Sequence, residues 1–159
     1  MTKMTLVVFS LDDQRYAVAL DSVRRSIRAV AITPLPEAPA IVVGIIDLGG
    51  AVLPVVNIRE RFKHPSRDVR LSDQLIIAET DKRRVALLVD STMGVIEIEP
   101  ESYSPAKEIV PGLGCVDGAI KLEDGLILIH DLDRLLSLEE DTAIDLAMRA
   151  TPGYESPKP

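Results

Sequence analysis

The chain has 159 residues, 47% hydrophobic but only 3% aromatic and without tryptophan, so its core is aliphatic. A chain this long buries about 70% of its unfolded surface and suits one domain or two tightly joined lobes that need no cross-links. With 25 acidic against 18 basic residues its formal net charge is -7, which argues against binding nucleic acid or an anionic membrane surface.

Met1 to Met4 precede no long apolar stretch, so no signal peptide is expected. No run approaches the roughly 18 apolar residues that span a bilayer, so no membrane insertion is expected either. Val7-Val8-Phe9 and Tyr16-Ala17-Val18 read as strands joined at Asp12-Asp13-Gln14. Val42 to Leu48 and Val52 to Val56 flank Gly49-Gly50, a turn pair able to take positive φ. Asn57 to Phe62 reads as a short helix capped by Asn57, followed by a polar linker from Lys63 to Arg70. Leu75 to Ala78 and Val85 to Val89 pair across Asp81-Lys82-Arg83, and Ala119 to Leu122 and Leu126 to Ile129 pair across Glu123-Asp124-Gly125. Asp131 caps a short helix to Leu136. Ser137-Leu138-Glu139-Glu140 has capping-box spacing and opens a C-terminal helix over 138–149, with Ile144, Ala147 and Met148 on one face. The proline-bearing tail 151–159 is expected to be disordered.

An internal repeat organises these elements. Leu6 to Ile27, shifted by 69 positions, lies over Leu75 to Ile96 with Leu6, Asp12, Arg15, Ala17, Asp21, Ser22 and Ile27 identical. Gly44 to Phe62 matches Gly118 to Leu136 in the same order. The fold class expected is all-β: two small five-stranded barrels, about 6–62 and 75–136, each roughly 60 residues long. Continuous apolar strands such as Leu126-Ile127-Leu128-Ile129 imply burial on both faces and a core shared between the barrels.

No catalytic, cofactor or metal motif stands out. The two histidines fall in different repeats: His64 reads as exposed in the linker, and His130 as lining the core edge. Gly112-Leu113-Gly114 lacks the lysine and long helix of a phosphate loop, and Asp131 with Asp133 reads as a helix cap. Cys115 reads as a small buried residue; being alone, it forms no internal disulfide and no thiolate metal site, which suits a reducing cytoplasm. Lys82-Arg83-Arg84 reads as a solvated turn. Arg24, Arg25 and Arg28 form a basic patch, either plain surface charge or a docking site for an acidic partner. Two small barrels with exposed edges and no reactive constellation point to a protein that binds other proteins, not an enzyme.

Over residues 5–140 the chain resembles the CheW family of chemotaxis adaptors. The resemblance rests on Tyr16, Val23-Arg24 with Arg28, Ile32-Thr33-Pro34-Leu35-Pro36, Ala38-Pro39 and Gly44-Ile45-Ile46-Asp47-Leu48-Gly49-Gly50. It continues through Pro54 to Arg59, Arg61-Phe62, Gly118 to Leu122 and Asp131 to Leu136. It implies two SH3-like barrels and a non-catalytic scaffold coupling the regulatory domain of a CheA-type histidine kinase to the helical tips of methyl-accepting chemoreceptors, in the cytoplasm beside membrane arrays. It also implies a receptor groove at Val23, Arg25, Ile27, Gly44, Leu48 and Gly49, and a kinase contact at Gln74 and Leu75. The chain departs from the family at Arg25, Ser26, Gly49 and Asn57: an acid is usual at 25, an apolar residue at 26, an arginine at 49 and an aspartate at 57. Reversed rim charge shifts specificity more than affinity, which suggests a divergent receptor or pathway. The alternative is a regulatory module of this fold that binds a small ligand or another signalling kinase.

Overall fold

The computed structural model describes residues 3–28, 31–105, 116–122 and 125–149. Among them run β1 (Met4–Leu11), β2 (Gln14–Ala19), β3 (Val23–Arg28), β4 (Val42–Leu48), β5 (Ala51–Asn57) and helix α1 (Ile58–Arg61). Then follow β6 (Gln74–Glu79), β7 (Arg84–Val89), β8 (Ser91–Ile98), β9 (Tyr103–Pro105), β10 (Val116–Leu122), β11 (Gly125–His130) and helix α2 (Leu138–Met148). Leu132–Arg134 makes one 3-10 turn. Gly112 to Cys115 and the tail 151–159 lie outside the described residues.

The strands form two sheets in equivalent order, β8-β1-β2-β11-β10-β9 and β3-β6-β7-β5-β4. Neighbours are antiparallel except β2 with β11 and β5 with β7. The fold is mostly β with a shared core, as read from the sequence. The first sheet gains a sixth strand, β9, and among the described residues neither sheet's edge strands are hydrogen-bonded to each other.

The duplication is visible residue by residue, and it is interleaved. The first sheet joins β1 and β2 of one repeat to β8 through β11 of the other; the second joins β3, β4 and β5 to β6 and β7. The linker after Phe62 therefore separates repeats in the sequence but not sheets in space. Register slips at equivalent places: between Val23 and Arg25 in β3 as between Thr92 and Gly94 in β8, and between Val42 and Gly44 in β4 as between Val116 and Gly118 in β10. Such bulges bend a strand and strengthen its twist.

The glycines that open the second repeated block have a steric cause. A Cβ on Gly44 would press into Thr33 O and stand 2.8 Å from Ile32 Cγ2; one on Gly118 would stand 2.6 Å from Ser104 O and collide with the Tyr103 ring. At both sites an outer segment lies against the glycine: Thr33 bridges Ile45, and β9 pairs with β10.

Period-two alternation divides the apolar residues among three clusters. On β1, Val7, Phe9 and Leu11 face a central cluster between the sheets, whereas Leu6 and Val8 face a cluster of the first sheet alone. On β6 and β7, Ile76, Ala78, Val85, Leu87 and Val89 enter the central cluster, while Leu75, Ile77, Ala86 and Leu88 build the second sheet's own. Strands buried on both faces must be apolar at every position, and each fully enclosed Ile or Leu contributes about 1.5–3 kcal/mol. Helix α2 closes the central cluster with Ile144 and Met148. Its capping box forms as the Ser-x-x-Glu spacing implies: Ser137 Oγ accepts from the Glu140 amide, and Glu140 Oε1 accepts from the Ser137 amide.

Candidate functional site

β3 and β4 are the two edge strands of the second sheet. Ile27 on β3 and Leu48 on β4 are half-buried against the same cluster, beside Ile32 and Val43. These four make an apolar rim, with buried Gly44 letting the Ile32–Thr33 segment approach. Arg25 lies opposite Ile77, a member of that cluster, so it shares the face of Ile27 and is exposed there. Val23 packs instead against the central cluster, away from the other apolar groove positions. Gly49 sits at the tip of the β4–β5 hairpin, where it and Gly50 both have positive φ, 62° and 93°; such a two-residue turn matches the twist of its strands. Ile32 and Val43 are not among the groove positions read from the sequence, because alternation alone does not say which half-buried strand residues meet across a sheet.

Of the two residues marked for a kinase, Leu75 is 0% exposed on the interior strand β6. Its side chain belongs to the core and offers no surface to a partner. Gln74 ties the sheets together: its Oε1 accepts from the amide of Thr92 on β8, at 2.5 Å, and from Thr92 Oγ1, at 2.9 Å.

Beneath the linker lies a charged hub. Arg59, 4% exposed at the start of α1, donates from Nη2 to Asp12 Oδ1 at 2.7 Å and to Asp90 Oδ2 at 2.8 Å, and from Nη1 to Pro65 O at 3.0 Å. Arg67 donates to Asp73 Oδ1 at 2.7 Å and Asp90 Oδ1 at 2.6 Å. The hub joins the β1–β2 turn, α1, the linker and both ends of the β6–β7 hairpin. Hydrogen bonds from Arg59 and His64 hold the Asp12 carboxyl at a pKa of about 2. Burial pushes Asp90 and Asp73 upward, but their arginine partners and a backbone amide outweigh it, and both stay below the ordinary carboxylate range. In the other repeat the residues equivalent to Asp12 and Arg59 are Asp81 and Asp133, and Asp133 Oδ1 simply accepts from the Asp81 amide at 2.7 Å. Only one of the two equivalent contacts has become an ion pair.

Both histidines, though in different repeats, converge on Tyr16. His64 is not exposed: its Nε2 lies 2.5 Å from Tyr16 Oη and its Nδ1 3.1 Å from Asp12 Oδ2. A carboxylate accepts only, so Nδ1–H donates to Asp12 and Nε2 accepts the hydrogen bond donated by the Tyr16 hydroxyl. Burial, with the Asp12 charge second, pushes the Tyr16 hydroxyl up to about 12, so it stays protonated. His130 is buried and stacks on Phe62 with centroids 3.9 Å apart; burial lowers its pKa to about 4, so it is neutral. Arg83 is likewise no solvated turn residue. It is buried, and its Nε donates to Asp141 Oδ1 of α2 at 2.5 Å. Asn57, Asp131 and Ser137 cap their helical segments.

Among the described residues no three His, Cys, Asp or Glu side chains gather as a metal site requires, and no helix is long and apolar enough to cross a membrane. The arrangement offers strand edges and an apolar rim, which suits binding.

Comparison with known proteins agrees. The family model of the CheW-like domain matches residues 5–140. The chemotaxis protein CheW of Rhizobium meliloti is 30% identical over 140 residues, 87% of this chain and 90% of that one. The CheW of Thermotoga maritima is 28% identical over 86% of this chain and 89% of its own. The crystal structure of the scaffolding protein TtCheW from Thermoanaerobacter tengcongensis superposes with a TM-score of 0.79 at 30% identity, covering 87% of this chain and 96% of that one.

Proposed function

The chain belongs to the CheW-like family, and from that premise we propose that it is a non-catalytic adaptor coupling a CheA-type histidine kinase to methyl-accepting chemoreceptors. The observation that carries this reading is likeness, over most of both chains, to a protein described as a scaffold. The adaptor works in the cytoplasm beside receptor arrays. A receptor's helical tip lies along the apolar rim of Ile27 and Leu48, with Gly44 beneath it and Arg25 and Gly49 at its polar border, while Val23 holds β3 to the central cluster. The kinase's regulatory domain docks at the end of the second sheet where Gln74 opens β6. Affinity resides in the apolar centre of each contact and specificity in the charged border. Co-elution with the regulatory domain of the cognate kinase, and separately with a receptor tip, tests the two halves. Two complexes are expected; kinase binding without receptor binding would remove the coupling role.

A further inference from the structure

β3 carries Arg24, Arg25 and Arg28 within five positions of a chain whose net charge is -7. Arg24 is held by Glu79, which also binds Arg84. Arg25 and Arg28 are exposed and make no ion pair among the described residues. One side of β3 pairs with β6; among the described residues no strand pairs with the other. A free strand edge presents unpaired backbone donors and acceptors, and guanidinium groups above it favour carboxylates in reach of both.

The duplicated edge is an internal control. β8 is the counterpart of β3, and there the positions of Arg24, Arg25 and Arg28 are held by Met93, Gly94 and Glu97. Met93 and Val95 are exposed on it. Charge is therefore not a uniform device for guarding edges in this fold, since one edge is basic and its twin apolar and acidic.

We infer that the open edge of β3 docks an extended acidic segment of a partner protein by strand addition, with Arg25 and Arg28 reading its carboxylates. This goes beyond the adaptor reading, which lays a helix on the side chains of Ile27 and Leu48 with Arg25 at its border and pairs nothing with the backbone edge of β3. The geometry sets the motif. Arg25 and Arg28 are three residues apart on one strand, so they point to opposite faces of the sheet. Carboxylates opposite them must also be three apart in the added strand, with an apolar residue opposite Ile27.

The test uses the full chain, labelled with nitrogen-15, and a capped peptide with the core Glu-Val-Ser-Glu between threonine and valine flanks. Amide shifts confined to 23–28 are expected, lost as salt rises toward about 1 M, where the screening length falls to ~3 Å. The exposed double substitution Arg25→Glu/Arg28→Glu should weaken binding about tenfold, two cross-strand charge pairs being removed. Moving the two glutamates to positions two apart should weaken it comparably, and a lysine-for-glutamate peptide should not bind. Equal binding of all three peptides, or shifts spread over the other basic residues, would overturn the inference. So would concentration-dependent broadening of 23–28 together with 93–98 in the protein alone, which would make a second copy the occupant. A chain that binds a receptor tip while ignoring the acidic peptide keeps the adaptor role and loses this edge.

Discussion

Replacing Arg59 with methionine keeps the length of the side chain and removes the charge at the centre of the hub. The guanidinium is nearly enclosed and holds Asp12, Asp90 and Pro65 O together. Removing one partner of a buried ion pair costs about 3–5 kcal/mol, because the other charges stay behind unpaired. Asp12 is 46% exposed in its side chain and regains water, which places the loss near the lower end, about 3 kcal/mol. For an m-value of about 2 kcal/mol/M in urea this moves the midpoint by roughly 1.5 M, with the slope unchanged. The carboxylates have native pKa values below their unfolded ones, so their contribution is present above the unfolded pKa near 4 and fades as pH falls through the native values. The gap between parent and Arg59→Met should therefore narrow toward pH 2–3. Adding Asp90→Asn should recover part of the loss. Urea unfolding near pH 7 and pH 3 measures all three effects. A loss below about 1 kcal/mol at pH 7, or a gap that does not depend on pH, would refute the hub as a stabilising element.

Gly44→Ala should destabilise by about 2 kcal/mol or more because its Cβ meets the backbone of Thr33, whereas Gly49→Ala, with open space around it, should cost only the ~1 kcal/mol of left-handed φ; thermal melts of both variants compare them. His130 is held neutral with a native pKa near 4, below the unfolded 6.5, so stability is full above 6.5 and falls as pH drops toward 4; His130→Phe should flatten that limb in urea titrations. Leu75→Ala should cost about 2–5 kcal/mol in urea unfolding, yet leave kinase affinity per folded molecule unchanged in calorimetry, since Leu75 is fully enclosed. Ser137→Ala should cost about 1 kcal/mol by removing the cap of α2, read from the same unfolding curves.

Strand positions and the repeat were readable because they are local or strictly periodic: apolar runs end at Gly49-Gly50 and Asp12-Asp13, and the matched glycines recur in equal places. The interleaving of the repeats was not readable, because strand exchange leaves the alternation of each strand unchanged. The hub escaped notice because Asp12, Arg59, Arg67, Asp73 and Asp90 are scattered along the chain, and each by itself looks like surface charge. One signal was present: Asp12 and Asp90 both belong to residue pairs repeated identically at the 69-residue step. Arg83 was misread because a turn of three polar residues suggests solvent, and only the docking of α2 encloses it. Of the groove positions, Ile27 and Leu48 meet on one cluster and Val23 does not, a distinction made by bulges that shift strand register without changing composition.

Kinase activity in a reconstituted mixture bears most directly on the adaptor role: ATP turnover by the cognate kinase with receptor tips, measured with and without this chain. Turnover that responds to receptor only when the chain is added, and no turnover by the chain alone, is the result predicted. A response of equal size in its absence, or a chain that binds one partner only by displacing the other, would contradict coupling.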